Sequence, residues 1–183
     1  MIFRETPLQD LVVIELERLH DMRGFFARSW CEREFEEHGL DAALKQCNVS
    51  YNRHRGTLRG MHFQRPPYGE TKLVRCTQGA IWDVVVDMRR SSPSYLKHFA
   101  IELNPDNRSM LYIPKGFAHG FVTLQDDTEA FYQMSTFFEA GAGSGFRWDD
   151  PGISIPWPEL GELVISDKDR ALPTYDPSHP IFP

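Results

Sequence analysis

The chain keeps returning to runs of four to eight β-type residues, each closed by Gly, Pro, Asn or Asp. Leu11–Leu16 is rich in Val and Ile, and Ile81–Met88 (IWDVVVDM) reads as a strand whose apolar run is broken by Asp83 and Asp87. Phe99–Leu103, Met110–Ile113, Phe121–Leu124 and Ala130–Met134 follow, each bounded by turn residues. Short strands at such even spacing predict an all-β sandwich or barrel. One helix interrupts the pattern. Ser29 followed by Glu32 matches a capping box, and Gly39 sits where a left-handed cap is wanted, so Trp30–His38 is expected to be a short helix beside the sheet. The Pro-rich tail from Pro151 onward is expected to lie extended over the body. With no repeat or linker in its 183 residues, the chain is read as a single domain, residues 1–183.

Composition narrows the function classes. Hydrophobic residues make up 41% and the thirteen Phe are ample for a packed core. A formal net charge of −6 argues against broad nucleic-acid binding but allows a local basic pocket for a small anion. Cys31, Cys47 and Cys76 are odd in number and lack CxxC spacing, against a disulfide framework or zinc knuckle. No secretory signal and no run long enough to span a membrane is visible, so the expectation is a cytoplasmic protein without membrane partners.

Two clusters carry chemistry. The first is GTLRGMHFQ, Gly56–Gln64; the second is IPKGFAHGF, Ile113–Phe121. Gly-x5-His and Pro-x-Gly-x-x-His resemble the skeleton of the two cupin motifs. The second His of the metal-binding first motif is absent, since Phe63 and Gln64 follow His62. Glu70 is displaced from the usual carboxylate position, and Lys72 stands two residues beyond it. Two imidazoles beside a lysine make a poor divalent-cation site, so no metal is expected. The same groups suit proton removal next to a carbonyl: a neutral His takes the proton, and an ammonium steadies the oxyanion. A surface or packing role fits His54 and His98 better, and His119 reads equally well as a structural histidine.

With these residues in place, the chain resembles the dTDP-4-dehydrorhamnose 3,5-epimerase family from about Asp21 to Pro173. The matching pieces are DMRGFF, QCNVS, TLRGMHFQ, KLVRCTQGAIWDVVVDMR, YIPKGFAHGF, the Tyr of FYQMS, RWDDPGISIPWP and SDKD. The resemblance implies a cupin-like jelly-roll barrel with a short helix, acting as an isomerase without a cofactor on a nucleotide-diphospho-4-keto-6-deoxyhexose. It implies His62 as base and Asp169 as its orienting partner, which fixes the imidazole tautomer. Lys72 would meet the enolate oxygen, and Tyr132 would return a proton from the opposite face. His119 would line the sugar pocket. Arg23 and Arg59 would hold the diphosphate, as guanidinium geometry suits phosphate. Gln46, Asn48, Phe26 and Lys168 fall at substrate-contacting positions. Phe138 stands where a Tyr commonly stacks on the nucleobase. Arg28 in place of Glu and Gly143 in place of Glu depart from the pattern, leaving the nucleobase and the number of inverted centres open. A homodimer is implied, in which Arg23 or Phe26 serves the neighbour's pocket. The alternatives weighed are a mono-epimerase on a dTDP-, CDP- or GDP-linked ketosugar, a metal-dependent cupin enzyme, and a non-catalytic sugar-nucleotide-binding module.

Overall fold

A computed structural model describes residues 1–182. In chain order the strands are β1 (Ile2–Glu5), β2 (Val12–Glu15), β3 (Leu19–Asp21) and β4 (Gly24–Phe26), then helix α1 (Glu32–Glu37). There follow β5 (Gln46–Asn52), β6 (Thr57–Gln64), β7 (Lys72–Gln78), β8 (Ile81–Asp87), β9 (His98–Leu103), β10 (Met110–Ile113), β11 (Phe117–Thr123) and β12 (Thr128–Met134). The tail adds β13 (Gly143–Gly145), β14 (Val164–Ile165) and a single helical turn, α2 (Asp167–Arg170).

The strands form two facing sheets. One runs β1-β2-β10-β7-β12-β5; the other runs β13-β6-β11-β8-β9, with β14 added parallel to β6. Strands β3 and β4 form a separate hairpin. Alternation sends every second residue inward. Val13, Val74, Leu111 and Ala130 from the first sheet meet Ile81, Val85, Leu103 and Phe121 from the second in one buried cluster. This is an all-β sandwich, as strand spacing predicts, in the jelly-roll form that the resemblance implies.

The outer faces explain why some runs are hydrophobic throughout. Behind the second sheet, Met61, Phe63, Val84, Val86 and Ala118 pack under Phe146, Ile153 and Phe182 of the tail. Strand β8 is therefore covered on both sides. Behind the first sheet, α1 drops Phe35 onto Ile14, Leu73, Met110 and Tyr112. Burying that ring contributes roughly 2–3 kcal/mol, which is what holds a six-residue helix that would not persist alone.

Two boundaries differ from expectation. Helix α1 starts at Glu32 with Cys31 as N-cap, and no side chain caps it, so Ser29 and Glu32 do not form a capping box. Its C-terminus behaves as expected: Gly39 takes φ +70°, and Leu40 N–H donates to Phe35 O at 2.9 Å. The tail is laid over the body, but its last part is not simply extended. It pairs as β14 and turns as α2, with Ser166 Oγ accepting from Asp169 N–H.

Candidate active site

Residues three apart on a regular strand point to opposite faces, yet Arg59 and His62 both face the space between the sheets. The cause is a bulge. His119 pairs with His62 while Phe121 pairs with Arg59, so β6 carries one extra residue opposite Gly120. Gly60 fills it at φ +143°, and a Cβ there would come within 2.6 Å of Gly120 Cα. Only glycine fits both the angle and the approach. The bulge also turns the Gly60 N–H toward Asp169 Oδ2, at 3.4 Å.

Asp169 projects from α2, which docks beside β6. Its other oxygen, Oδ1, lies 2.7 Å from His62 Nε2. Burial pushes this carboxyl upward, but the His62 hydrogen bond and charge, the Gly60 amide and Lys168 outweigh burial and hold it below the ordinary aspartate range. An ionised carboxylate at Nε2 selects the tautomer with its proton there. Nδ1 then carries the free lone pair.

The opposite wall comes from the first sheet. Tyr132 pairs across to Asn48 and Val74, and Met134 pairs across to Gln46 and Lys72. Cross-strand partners share a face, so Gln46, Asn48, Lys72 and Tyr132 all look inward. Lys72 Nζ sits 3.0 Å from Glu70 Oε1, and both side chains are largely buried. Glu70 thus serves as counter-ion to the lysine. His119 Nε2 lies 2.7 Å from Asp83 Oδ1, deep in the second sheet. Asp83 faces inward in the row of Ile81 and Val85, so this acid does not break the strand.

Two adjoining cavities of about 410 and 210 Å³ share His62, Lys72, Tyr132 and Lys168. The larger continues past Arg59, His119 and Asp169; the smaller continues past Glu70, Phe138 and Gly143. His62 and Tyr132 therefore face one space from opposite sheets. A larger hollow of about 700 Å³ lies between the N-terminal segment and the end of α1. Its Asp41 and Lys115 neutralise each other at 3.1 Å, and none of the twelve residues singled out in the sequence lines it. Among the described residues, no group of three or more His, Cys, Asp or Glu is placed to hold a metal ion.

Eight of the twelve residues singled out in the sequence line this space. Gln46 and Asn48, joined to each other at 3.3 Å, bond to lining residues instead: Gln46 Oε1 accepts from Phe138 N–H and the Asn48 amide donates to Met134 Sδ. Arg23 and Phe26 do not reach the space. Both ride on the β3–β4 hairpin, where the Arg23 side chain is 86% exposed and bonded only to Asp21, and Phe26 is 71% exposed. Arg28, beside them, pairs with Glu34 at 2.6 Å. Sequence reasoning missed the supporting groups. Asn52 Oδ1 accepts from Arg59 Nε at 2.7 Å, while the Asn52 amide donates to Ser50 O and Thr128 O. Ser166 was findable, because Ser-x-x-Asp before a turn is a capping signature.

The sequence model of the family described as dTDP-4-dehydrorhamnose 3,5-epimerase matches residues 5–176. The chain belongs to this family. A dTDP-4-dehydrorhamnose 3,5-epimerase from Sinorhizobium fredii is 40% identical over 95% of this chain and 89% of its own. The Bacillus anthracis epimerase, solved with TDP and PPi bound, superposes with TM-score 0.91 at 41% identity, covering 95% of this chain and 99% of that one. A Legionella pneumophila dTDP-6-deoxy-D-glucose-3,5-epimerase in complex with dTDP-4-keto-L-rhamnose gives TM-score 0.87 at 31% identity, over 96% and 98%. The cupin-like fold and the isomerase class of this family member follow from those likenesses.

Proposed function

We propose that the protein inverts C3 and/or C5 of a nucleotide-diphospho-4-keto-6-deoxyhexose, converting dTDP-4-dehydro-6-deoxyglucose to dTDP-4-dehydrorhamnose. The observation that carries this reading is an imidazole and a phenol facing one cavity from opposite sheets, with an ammonium lining the same space. His62 Nδ1 removes the proton on the carbon next to the ketone, and the C–H electron pair moves onto the ketone oxygen. Lys72 Nζ meets that oxyanion. Tyr132 then protonates the same carbon from the other face, the carbonyl re-forms, and the centre is inverted. Solvent returns the proton from imidazolium to phenolate. The ketone already on the substrate acidifies its neighbours, so no redox cofactor is called for.

The division of labour fits known magnitudes. A positioned acid or base supplies about 10²–10⁴-fold, and one preorganised oxyanion donor roughly 3–4 kcal/mol. Removing a carbon-bound proton needs all three groups. Arg59, held by Asn52, and Lys168 supply positive charge for the diphosphate, and the Phe138 ring at the mouth offers a face to the base.

The exposed hairpin motivates a second element of the proposal. The hairpin holds Phe26 and Arg23 out in solvent, away from its own chain's cavity, and a homodimer would deliver both to the neighbour's cavity. Light scattering is expected to give twice the 21.2 kDa chain mass; a stable monomer with full turnover would remove this element. No helix among the described residues is long and apolar enough to cross a membrane. Three free cysteines suit a reducing compartment, and we place the protein in the cytoplasm.

Proton exchange tests the chemistry. In heavy water, dTDP-4-keto-6-deoxyglucose is expected to take up deuterium at C3 and C5, read by NMR. Uptake at one centre alone makes the protein a mono-epimerase. Absence of uptake with dTDP-, CDP- and GDP-linked ketosugars alike would sink the proposal.

A further inference from the structure

Gln64 closes β6 with a side chain only 3% exposed, and every strong hydrogen-bonding position of its amide but one is spent on two loops. Oε1 accepts from Glu139 N–H at 2.6 Å. Nε2 donates to Tyr68 O at 2.9 Å and to Phe137 O at 3.4 Å. Turning the amide over would set donor against donor and acceptor against acceptor, so this orientation is the one the network permits. On the other side, Gln46 Oε1 accepts from Phe138 N–H at 2.8 Å. Three consecutive residues, Phe137 to Glu139, are thus fastened by two glutamines from separate sheets.

Phe138 itself has little else to hold it. Its ring is more than half exposed at the mouth of the smaller cavity and lies beside Gly143, which offers no side chain to brace it. The ring is therefore placed by its backbone, and its backbone by the glutamines. Neither Nε2 hydrogen of Gln64 is free to bind a ligand.

We infer that Gln64 is a positioning residue: it sets the Phe138 ring and through it the affinity for the base of the nucleotide. The inference rests on the proposed reading that the nucleotide lies with its base on Phe138. Losing the two hydrogen bonds that Gln64 makes to the Phe138 loop, and the third to Tyr68, lets the ring wander, which weakens base stacking and leaves the diphosphate contacts alone.

The test compares Gln64→Met, which keeps volume and loses the bonds, with Gln64→Glu, whose carboxylate faces two carbonyl oxygens. Calorimetry with dTDP and with inorganic diphosphate reads the two ends separately. The Kd for dTDP is expected to rise about tenfold in each variant, with diphosphate binding unchanged. KM should rise in step and kcat stay within about threefold. Amide exchange at Phe138 and Glu139 should accelerate, while Ser135, bonded to Thr71 O, stays protected. Adding Gln64→Met to Phe138→Ala should cost nothing further in dTDP affinity. Equal losses for dTDP and diphosphate would mean general collapse of the cavity and overturn the inference. If Phe138→Ala weakens dTDP and neither Gln64 variant does, the positioning role alone is overturned. If Phe138→Ala leaves dTDP binding intact, the stacking reading fails and carries the inference with it.

Discussion

The reaction centre and the nucleotide end of the cavity are built by different means. His62, Lys72 and Tyr132 stand on paired strands, and the first two each hold a buried carboxylate, Asp169 or Glu70. Phe138 sits on a loop, its own N–H held by Gln46, and Phe26 and Arg23 lie on a hairpin outside the two sheets. On the proposed reading, the chemistry is fixed by sheet register and base recognition by loops. The two departures from the family pattern, Arg28 and Gly143, both fall in the second region. A cavity assembled this way can change its nucleotide without disturbing its proton transfers.

The sharpest way to break that contrast is His62→Asn. Turnover is expected to fall about 10³–10⁴-fold, with dTDP affinity kept within a few-fold by calorimetry. Loss of binding in parallel would show that the two regions are not separable. Next, Lys72→Met should cost about 10²–10³-fold in kcat and strand the Glu70 carboxylate in a buried site, at about 3 kcal/mol of stability. Pairing it with Glu70→Gln should restore the unfolding midpoint and leave turnover low. At the nucleotide end, Phe138→Ala and Arg23→Ala should each raise KM by roughly tenfold with kcat nearly unchanged. A fall in kcat alone would place those residues with the chemistry. The smallest effect concerns acid stability. Asp169 is held below its ordinary value in the fold, so the stability it adds is present above that value and lost as pH falls through the lowered one. The gap in unfolding free energy between the native chain and Asp169→Asn should stay level from neutral pH to about pH 5 and narrow below about pH 4.

Period-two patterning made the sheets legible, and Met110–Ile113 agrees to the residue. Strand β11 was read short because it runs through Gly120 in GFAHGF, a residue that weakens strand patterning yet is required where β6 bulges against it. The helix near Trp30 was legible in place but not in start, since tertiary packing of Phe35 decides where it begins rather than a cap. His62 and Lys72 stand out from the residues themselves, whereas Tyr132 and Asp169 enter only through resemblance; that His62 and Arg59 share a face at spacing three is hidden until the bulge is known. Asp83 and Glu70 stand out in the sequence as acids without revealing their partners, His119 and Lys72, and Asn52 gives no signal. Asp83 and Asn52 are defined by residues on other strands, and single-chain patterning does not encode which residues meet across a sheet.

The base and its carboxylate stand 107 residues apart, one on the first motif strand and one in the single turn that follows β14. Every strand of both main sheets, β14 included, precedes that turn, so the strands are made during synthesis before His62 can meet its carboxylate. A chain ended ahead of Ser166 would lose Lys168 and Leu172 from the pocket lining and leave the His62 imidazole without the carboxylate that selects its tautomer.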